Sequence, residues 1–504
     1  MFWGELLEIG RFCPKTSAAE ERLSQNLNSF VAGASKGAMA KAIAPDYGQQ
    51  FLFPPALEDW VPADHPARFL REFVDQLDLA GLGFVMPAVV EGRPPYAPGL
   101  LLKIWLFGYL QRIRSTRKLE AACRENLSLL WLTGMLQPDH NSLWRFWRDN
   151  KKALREVFKR SARLAVEAGL VGLLLQALDG TKIQAVASGH SGWTKQRLQE
   201  LLQALDAELA VAEQQIEQSG DPEPQSSYRL PQTLSDKQAL REKVQSGLEQ
   251  MEAIDREHLH PKEPEARRMS CDGKNRFGYN AQAVVDEQSG VIVAAEVLNQ
   301  ENDTGLAVPL MSQAEGNCGA AAAVTVADSG YGSGVDIAQA AEQEMNLLVQ
   351  PAGDAAARAK RYHAHNFHYE AATDQVICPE GQALKFARPM RQKGQSVRIY
   401  RCEIDGCPVR ASCTKDLRAR RFVEIWPHTL AVQRMRARVR QPGAAAQLRR
   451  RGQVIERVFG QIKQHEGFRR WTVRGLEGVN AQWALICCAI NLRALNRNWS
   501  PSRS

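Results

Sequence analysis

Three acidic residues stand in segments suited to holding a metal ion. Asp179 ends the apolar run Leu173-Leu174-Leu175-Gln176-Ala177-Leu178 and is followed by Gly180-Thr181. Asp328 ends Ala323-Val324-Thr325-Val326-Ala327 and is followed by Ser329-Gly330-Tyr331-Gly332. Glu456 lies in Val454-Ile455-Glu456-Arg457-Val458-Phe459-Gly460-Gln461-Ile462-Lys463, a stretch that reads as helix. An aspartate at the tip of a buried strand is costly unless something cationic meets it. Two such tips and a helical glutamate suit two-metal phosphoryl transfer, in which divalent ions roughly 4 Å apart activate the attacking oxygen and stabilise the leaving one. Carboxylates match Mg²⁺, with Mn²⁺ as an alternative, because hard cations prefer oxygen ligands. Taken singly, the aspartates also read as strand-end caps and the glutamate as a surface residue. The three in order, each in a fitting element, favour the metal site.

A second constellation is Cys378-Pro379-Glu380-Gly381, Cys402, Cys407-Pro408 and Cys413, four of the ten cysteines within 36 residues. His363, His365 and His368 come just before it. Clustered thiolates in a reducing cytosol suggest a structural Zn²⁺ site. The spacings are looser than a paired Cys-x2-Cys knuckle, so buried free thiols remain the alternative. Cys487-Cys488, on an apolar helix, reads as core. So uneven a distribution argues against a secreted disulfide framework.

The elements that must position these residues follow from length and pattern. A chain of 504 residues exceeds one ordinary core, so two or three domains are expected. With 44% apolar and 24% charged residues the composition is that of a soluble globular protein. No apolar stretch reaches the ~18 to 20 residues of a membrane span, and the N-terminus lacks the order of a secretory signal. A cytoplasmic location is expected. The net charge of +8 is unevenly spread: Lys415 to Arg474 holds sixteen Lys and Arg against four acids, which leaves the rest of the chain slightly negative. Such a field points to a polyanionic partner rather than to a merely solvated basic face.

Residues 1–50 read as poorly ordered, with Met39 as an alternative start. Residues 51–170 read as a helical domain. Asp64-His65-Pro66 opens one helix, Pro98 precedes another, and Asp139, Asn141 or Ser142 caps a third running through Trp144, Phe146, Trp147, Leu154 and Phe158. On it, Arg145, Arg148 and Lys151 alternate with aromatics, as a DNA-docking face would; core aromatics with solvated cations fit the pattern equally well. Residues 171–350 and 440–497 read as one α/β domain with a mixed sheet flanked by helices. Its strands include the Asp179 run, Phe277–Val285, Val291–Val297 after a Gln288-Ser289-Gly290 turn, the Asp328 run and Leu347–Val349. A helix near Thr304 is expected to be capped by Asn302 or Asp303. Two inserts interrupt the domain. Residues 193–258 form a helical hairpin with Leu198, Leu201, Leu202, Leu205 and Leu209 as a seam, broken near Gly220–Pro224. Residues 351–439 form the basic insert that bears the cysteines.

Quoted together, Leu178-Asp179-Gly180-Thr181, Pro264-Glu265-Ala266-Arg267, Gly278-Tyr279-Asn280-Ala281-Gln282, Ala327-Asp328-Ser329-Gly330-Tyr331 and Val458-Phe459-Gly460-Gln461-Ile462-Lys463 resemble the DDE-class insertion-sequence transposases, in particular the group numbered eleven eighty-two. The tail Arg474-Gly475-Leu476-Glu477, Trp483-Ala484-Leu485 and Asn491-Leu492-Arg493 is similar too, so the resemblance spans Met39 to Leu495. It implies a ribonuclease-H-like catalytic core, magnesium dependence and cut-and-paste transposition, with Asp179, Asp328 and Glu456 as the catalytic triad. It also implies DNA partners, the terminal inverted repeats and the target, and a homodimer in the synaptic complex. Relatives carry a Tyr, Arg, Glu, Lys signature around the glutamate. Glu456 and Lys463 match, seven residues or about two turns apart on one helical face. Arg451 is the best arginine, with Arg449 and Arg450 competing, and the tyrosine position falls near Leu448. Arg451 and Lys463 would hold phosphates near the scissile bond, and Arg457 is a further DNA-binding candidate. Two other readings are a metal nuclease that cuts without joining and an inactive DNA-binding regulator, whose mark would be a missing carboxylate.

Overall fold

The computed structural model describes residues 56–86, 94–187, 192–218, 232–253, 255–354, 359–414 and 420–499. The segment expected to be poorly ordered, the start at Met39 and the turn near Gly220–Pro224 lie outside them. Residues from Leu57 onward belong to one compact unit.

The chain begins with helices α1 (Pro66–Asp75), α2 (Pro98–Leu110), α3 (Thr116–Glu125), α4 (Leu127–Thr133), α5 (His140–Asp149) and α6 (Lys151–Glu167). Proline opens α1 and α2, where its missing N–H costs nothing. The Asp139 carboxylate caps α5 by accepting the Ser142 N–H at 2.7 Å. The single helix expected from Asp139 through Phe158 is in fact two. Asn150 breaks it: its amide donates to the Phe146 carbonyl and its oxygen accepts the Val85 N–H, both at 2.7 Å. That side chain competes with the helical ladder for the same backbone.

Next come β1 (Gln176–Gln184), β2 (Trp193–Thr194), α7 (Lys195–Gln218), α8 (Gln232–Ala253), β3 (His258–Leu259), β4 (Arg267–Cys271), β5 (Lys274–Asp286) and β6 (Ile292–Leu298). They are followed by α9 (Ala307–Cys318), β7 (Thr325–Ala327), α10 (Gly334–Glu342) and β8 (Leu347–Val349). The main sheet runs β4-β5-β1-β7-β8, with β6 also paired to β5. Strands β6, β5 and β1 are antiparallel, whereas β7 and β8 run parallel to β1. Gly290, at φ +70°, supplies the left-handed turn residue between β5 and β6. Residues 277–286 of β5 are buried without alternation, as in a central strand covered on both faces. Within that run Asn280 and Gln282 are fully buried.

The insert and C-terminal part comprise β9 (His368–Glu370), β10 (Gln375–Ile377), β11 (Ala383–Gln392), β12 (Gln395–Arg401), α11 (Arg410–Cys413), β13 (Phe422–Ile425), α12 (Thr429–Val439), α13 (Ala444–Gly460) and α14 (Leu476–Asn496). Strands β13-β12-β11-β10-β9 form a second sheet over a small core of Phe367, Val376, Leu384, Tyr400, Val423 and Ile425. Helices α7 and α8 close on Leu198, Leu205, Val244 and Met251. Of the expected seam, Leu198, Leu205 and Leu209 are buried and Leu201 is exposed. The N-terminal helices and the main sheet share one continuous core.

Helix α14 joins them. Nearly every residue from Gly478 to Leu495 is buried, and the helix packs on α2, α6 and β6. Two of its asparagines finish the edge of β6. Asn480 accepts the Val297 N–H and donates to the Val297 carbonyl, each at 2.8 Å, and Asn491 does the same for Ile292 at 2.8 Å. Side-chain amides thus replace the missing neighbour strand, whose buried polar groups would otherwise go unpaired.

Candidate active site

Pairing in β1 and β7 ends at Leu178 opposite Ala327, so Asp179 and Asp328 are the next residues on two adjacent parallel strands. Both carboxylates are half-buried and turn back on the local backbone. Asp179 accepts the Gly180 N–H at 2.7 Å, and Asp328 accepts the Gly330 N–H at 2.8 Å. Arg451 of α13, a helix packed on β1, β7 and β8, pairs with Asp179 at 2.5 Å. Burial pushes the Asp179 carboxyl up to about 6; Arg451 opposes that rise and the charge of Asp328 adds to it.

A third carboxylate joins them. Asp303 does not cap a helix, because α9 begins only at Ala307 with Leu306 at its cap. Instead one oxygen of Asp303 accepts the side-chain amides of Asn280 and Gln282, at 2.7 and 2.8 Å. The Tyr331 hydroxyl donates to the Gln282 side-chain oxygen and so fixes which end of that amide faces Asp303. Burial, followed by the charges of Asp303, Asp179 and Asp328, raises the Tyr331 pKa far above the usual phenol range, so it remains a donor. Gly305 donates to Asp336 at 2.9 Å and pins the loop that carries Asp303. Gly330 lies between two of these acids: a Cβ there would sit 2.9 Å from an Asp328 oxygen and 3.2 Å from an Asp303 oxygen. A Cβ on Gly180 would strike the Gln282 and Asn280 side chains. Among the described residues, the buried Asn280 side-chain oxygen has no hydrogen-bond partner.

Glu456 sits on α13 one turn beyond Gly452, exposed, and among the described residues it takes no hydrogen bond or ion pair. As the side chains stand, no three His, Cys, Asp or Glu groups among the described residues are gathered tightly enough to hold a metal ion. The structure sets Asp328 and Asp303 on either side of Gly330 and Asp179 on the strand beside Asp328, with Glu456 on a helix packed against the same strands. Asp303 was missed in the sequence because Asn302-Asp303 before a helical pattern reads as a cap. The signal that could have found it was the pair of amides, Asn280 and Gln282, inside an otherwise apolar strand.

The basic candidates fall in three places. Of the three consecutive arginines, Arg451 reaches Asp179 while Arg450 pairs with Glu287 at 2.5 Å. Leu448 is packed against the core. Lys463 does not continue the face of α13, because Gln461–His465 forms a π-helical turn that rotates the register. It pairs with Asp272 at 3.1 Å, beside Arg469 at 3.2 Å. Arg457 lies against the Gly290 turn. Farther off, Arg148 pairs with Asp149 at 2.6 Å, Lys151 pairs with Glu477 at 3.1 Å, and Arg145 meets the Ser142 hydroxyl at 3.5 Å. Of the interleaved aromatics Phe146 and Trp147 are core, whereas Trp144 is 45% exposed and stacks on Trp147. Ion pairs near the surface such as these contribute little to stability.

Cys378, Cys402, Cys407 and Cys413 come together in the insert. All four line one cavity of about 30 Å³, and none of the three histidines does. Burial first, and then the neighbouring sulfurs, hold the Cys413 thiol above its usual range, against the pull of Arg421.

Residues 377–496 match a family model described as a transposase DDE domain, and residues 55–149 match one described as a transposase domain of the DUF772 type. The first span contains Glu456 but neither Asp179 nor Asp328. Comparison with curated proteins and with solved structures gave no match. The two family matches support a DDE-type transposase.

Proposed function

We propose that the chain is a ribonuclease-H-like transposase that cuts DNA at the ends of its element and joins the freed 3′ end to a target, with Asp179, Asp328 and Glu456 as its catalytic triad. One observation carries this reading. Asp179 and Asp328 leave neighbouring parallel strands side by side, and the helix bearing Glu456 packs on those same strands. The order β6-β5-β1-β7-β8, with the first three antiparallel and the last two parallel to β1, supports the ribonuclease-H-like assignment.

DDE transposase domains use divalent metal ions, and the residues here suit one. Gly330 leaves open the space between the Asp328 and Asp303 carboxylates that a Cβ would crowd, and carboxylate oxygens are the hard ligands Mg²⁺ prefers. Asp179 and Asp328, with Glu456 from α13, are the residues that would hold Mg²⁺. When bound there, the ion would supply charge neutralisation at the phosphodiester and a more acidic water. The chain's own residues do the rest. Asp179 is mostly ionised above pH 6 and so presents an anionic oxygen at neutral pH. Arg451, now paired with Asp179, is placed to exchange that partner for a backbone phosphate once the carboxylate has another counter-charge. Lys463 and Arg457 extend the positive surface along which DNA would lie. The four cysteines take no part in this chemistry.

Glu456→Gln keeps the shape but removes the anionic ligand, so end DNA should still bind while cleavage is lost. Loss of binding with the fold intact would refute that division of labour. Joining of a labelled 3′ end to a second duplex would separate transposition from plain hydrolysis on the same site.

A further inference from the structure

We infer that Cys378, Cys402, Cys407 and Cys413 form a single structural zinc site that fastens the second sheet. The four cysteines line one cavity from four separate places: Cys378 follows β10, Cys402 follows β12, Cys407 lies in the ensuing turn and Cys413 ends α11. The cavity they line, about 30 Å³, has room for one ion or one water and for little else. As placed, the sulfurs stand around it rather than at coordinating distance, so binding an ion requires them to move inward. At Cys378 the backbone is already arranged for a thiolate. The N–H groups of Glu380 and Gln382 both point at its sulfur, at 3.4 and 3.3 Å. Gly381, at φ +76°, provides the left-handed residue that lets the turn wrap around it. A neutral thiol is a weak acceptor and would gain little from two donors, whereas a metal-bound thiolate would gain much.

Charge and stability point the same way. Four thiolates around Zn²⁺ leave a net negative centre, and Arg410, Arg420 and Arg421 line the same cavity. The core beneath is a small cluster of buried side chains: Phe367, Val376, Leu384, Tyr400, Val423 and Ile425. A module this small, below about 70 residues, commonly needs a metal or disulfide staple, and the four cysteines are free thiols. The proposal is independent of the transposase reading, since it asks only what holds this sheet together.

The test is metal content of the full-length protein, expressed in zinc-supplemented medium, dialysed without chelator and measured by plasma mass spectrometry. About one zinc per chain is expected, falling more than tenfold in Cys378→Ser/Cys402→Ser and unchanged in Cys318→Ala, which alters a distant cysteine. Cobalt exchanged into the wild-type protein should show the absorption of a tetrahedral thiolate site. Cys402→His retains a ligand and should keep the ion with a shifted cobalt spectrum, which guards against a serine variant that merely misfolds. Wild-type protein that holds neither zinc nor cobalt, or a double serine variant that keeps its zinc, would overturn the proposal.

Discussion

Asp303 shows how much of the site depends on residues other than the three acids. Two buried amides hold one of its oxygens, and a buried tyrosine hydroxyl fixes one of those amides in turn, while the other Asp303 oxygen faces Gly330. Asp303→Ala should lower magnesium-dependent cleavage roughly 10- to 100-fold while leaving DNA binding intact. Gln282→Leu should do the same through Asp303. Wild-type rates in both variants would assign Asp303 a purely structural part. At Asp179 the raised carboxyl has a consequence for stability. Its pKa in the fold, about 6, lies above the 3.8 of an unperturbed aspartate, so the fold disfavours the charged form. The penalty is absent below the unfolded value, grows between pH 4 and 6, and is complete above that, at up to about 3 kcal/mol. Asp179→Asn should therefore gain stability relative to wild type as pH rises from 4 to 7, followed by urea titration. A difference independent of pH would show that Asp179 titrates normally. Asp179 and Asp328 were legible in the sequence because each ends an apolar strand with nothing else nearby to justify a charge. Asp303 was not, because its partners lie 21 and 23 residues away along the chain and are met only through the sheet.

At the scale of elements, strands and helices followed closely from periodicity. The Leu347–Val349 strand, the Gln288–Gly290 turn and the proline-led helices stand where their patterns put them. The misses have local causes. Asn150 diverts its side chain to the backbone and divides one helix into two. The π turn at Gln461–His465 rotates Lys463 off the face of Glu456, and no residue pattern announces such a turn. The asparagines of α14 look like polar interruptions of an apolar helix until β6 is placed beside them. Each satisfies two buried backbone groups, so Asn491→Leu should cost about 2 to 4 kcal/mol in denaturant unfolding. A cost below about 1 kcal/mol would mean that β6 finds other partners.

For the whole molecule, the sequence suggested separate helical and catalytic parts. Helix α14 lies against both, and the N-terminal helices and the main sheet close over one core. The two inserts keep small cores of their own. Among the described residues no helix is long and apolar enough to cross a membrane. The segment from Lys415 to Arg474, which holds sixteen Lys and Arg against four acids, includes Glu456. End-DNA affinity should accordingly fall linearly on a log–log plot of binding against salt, and each of Arg457→Ala and Lys463→Ala should reduce that slope by about one phosphate contact. A slope unchanged in both would place the DNA elsewhere. The central claim is that Asp179, Asp328 and Glu456 act together on a phosphodiester. Its most direct test is cleavage of a labelled element end by the full-length protein, in Mg²⁺ or EDTA, beside Asp179→Ala, Asp328→Ala and Glu456→Gln. Magnesium-dependent nicking at the element end that vanishes in all three variants is the predicted result; nicking that persists in any one of them, or DNA bound without a cut by the wild-type protein, would contradict it.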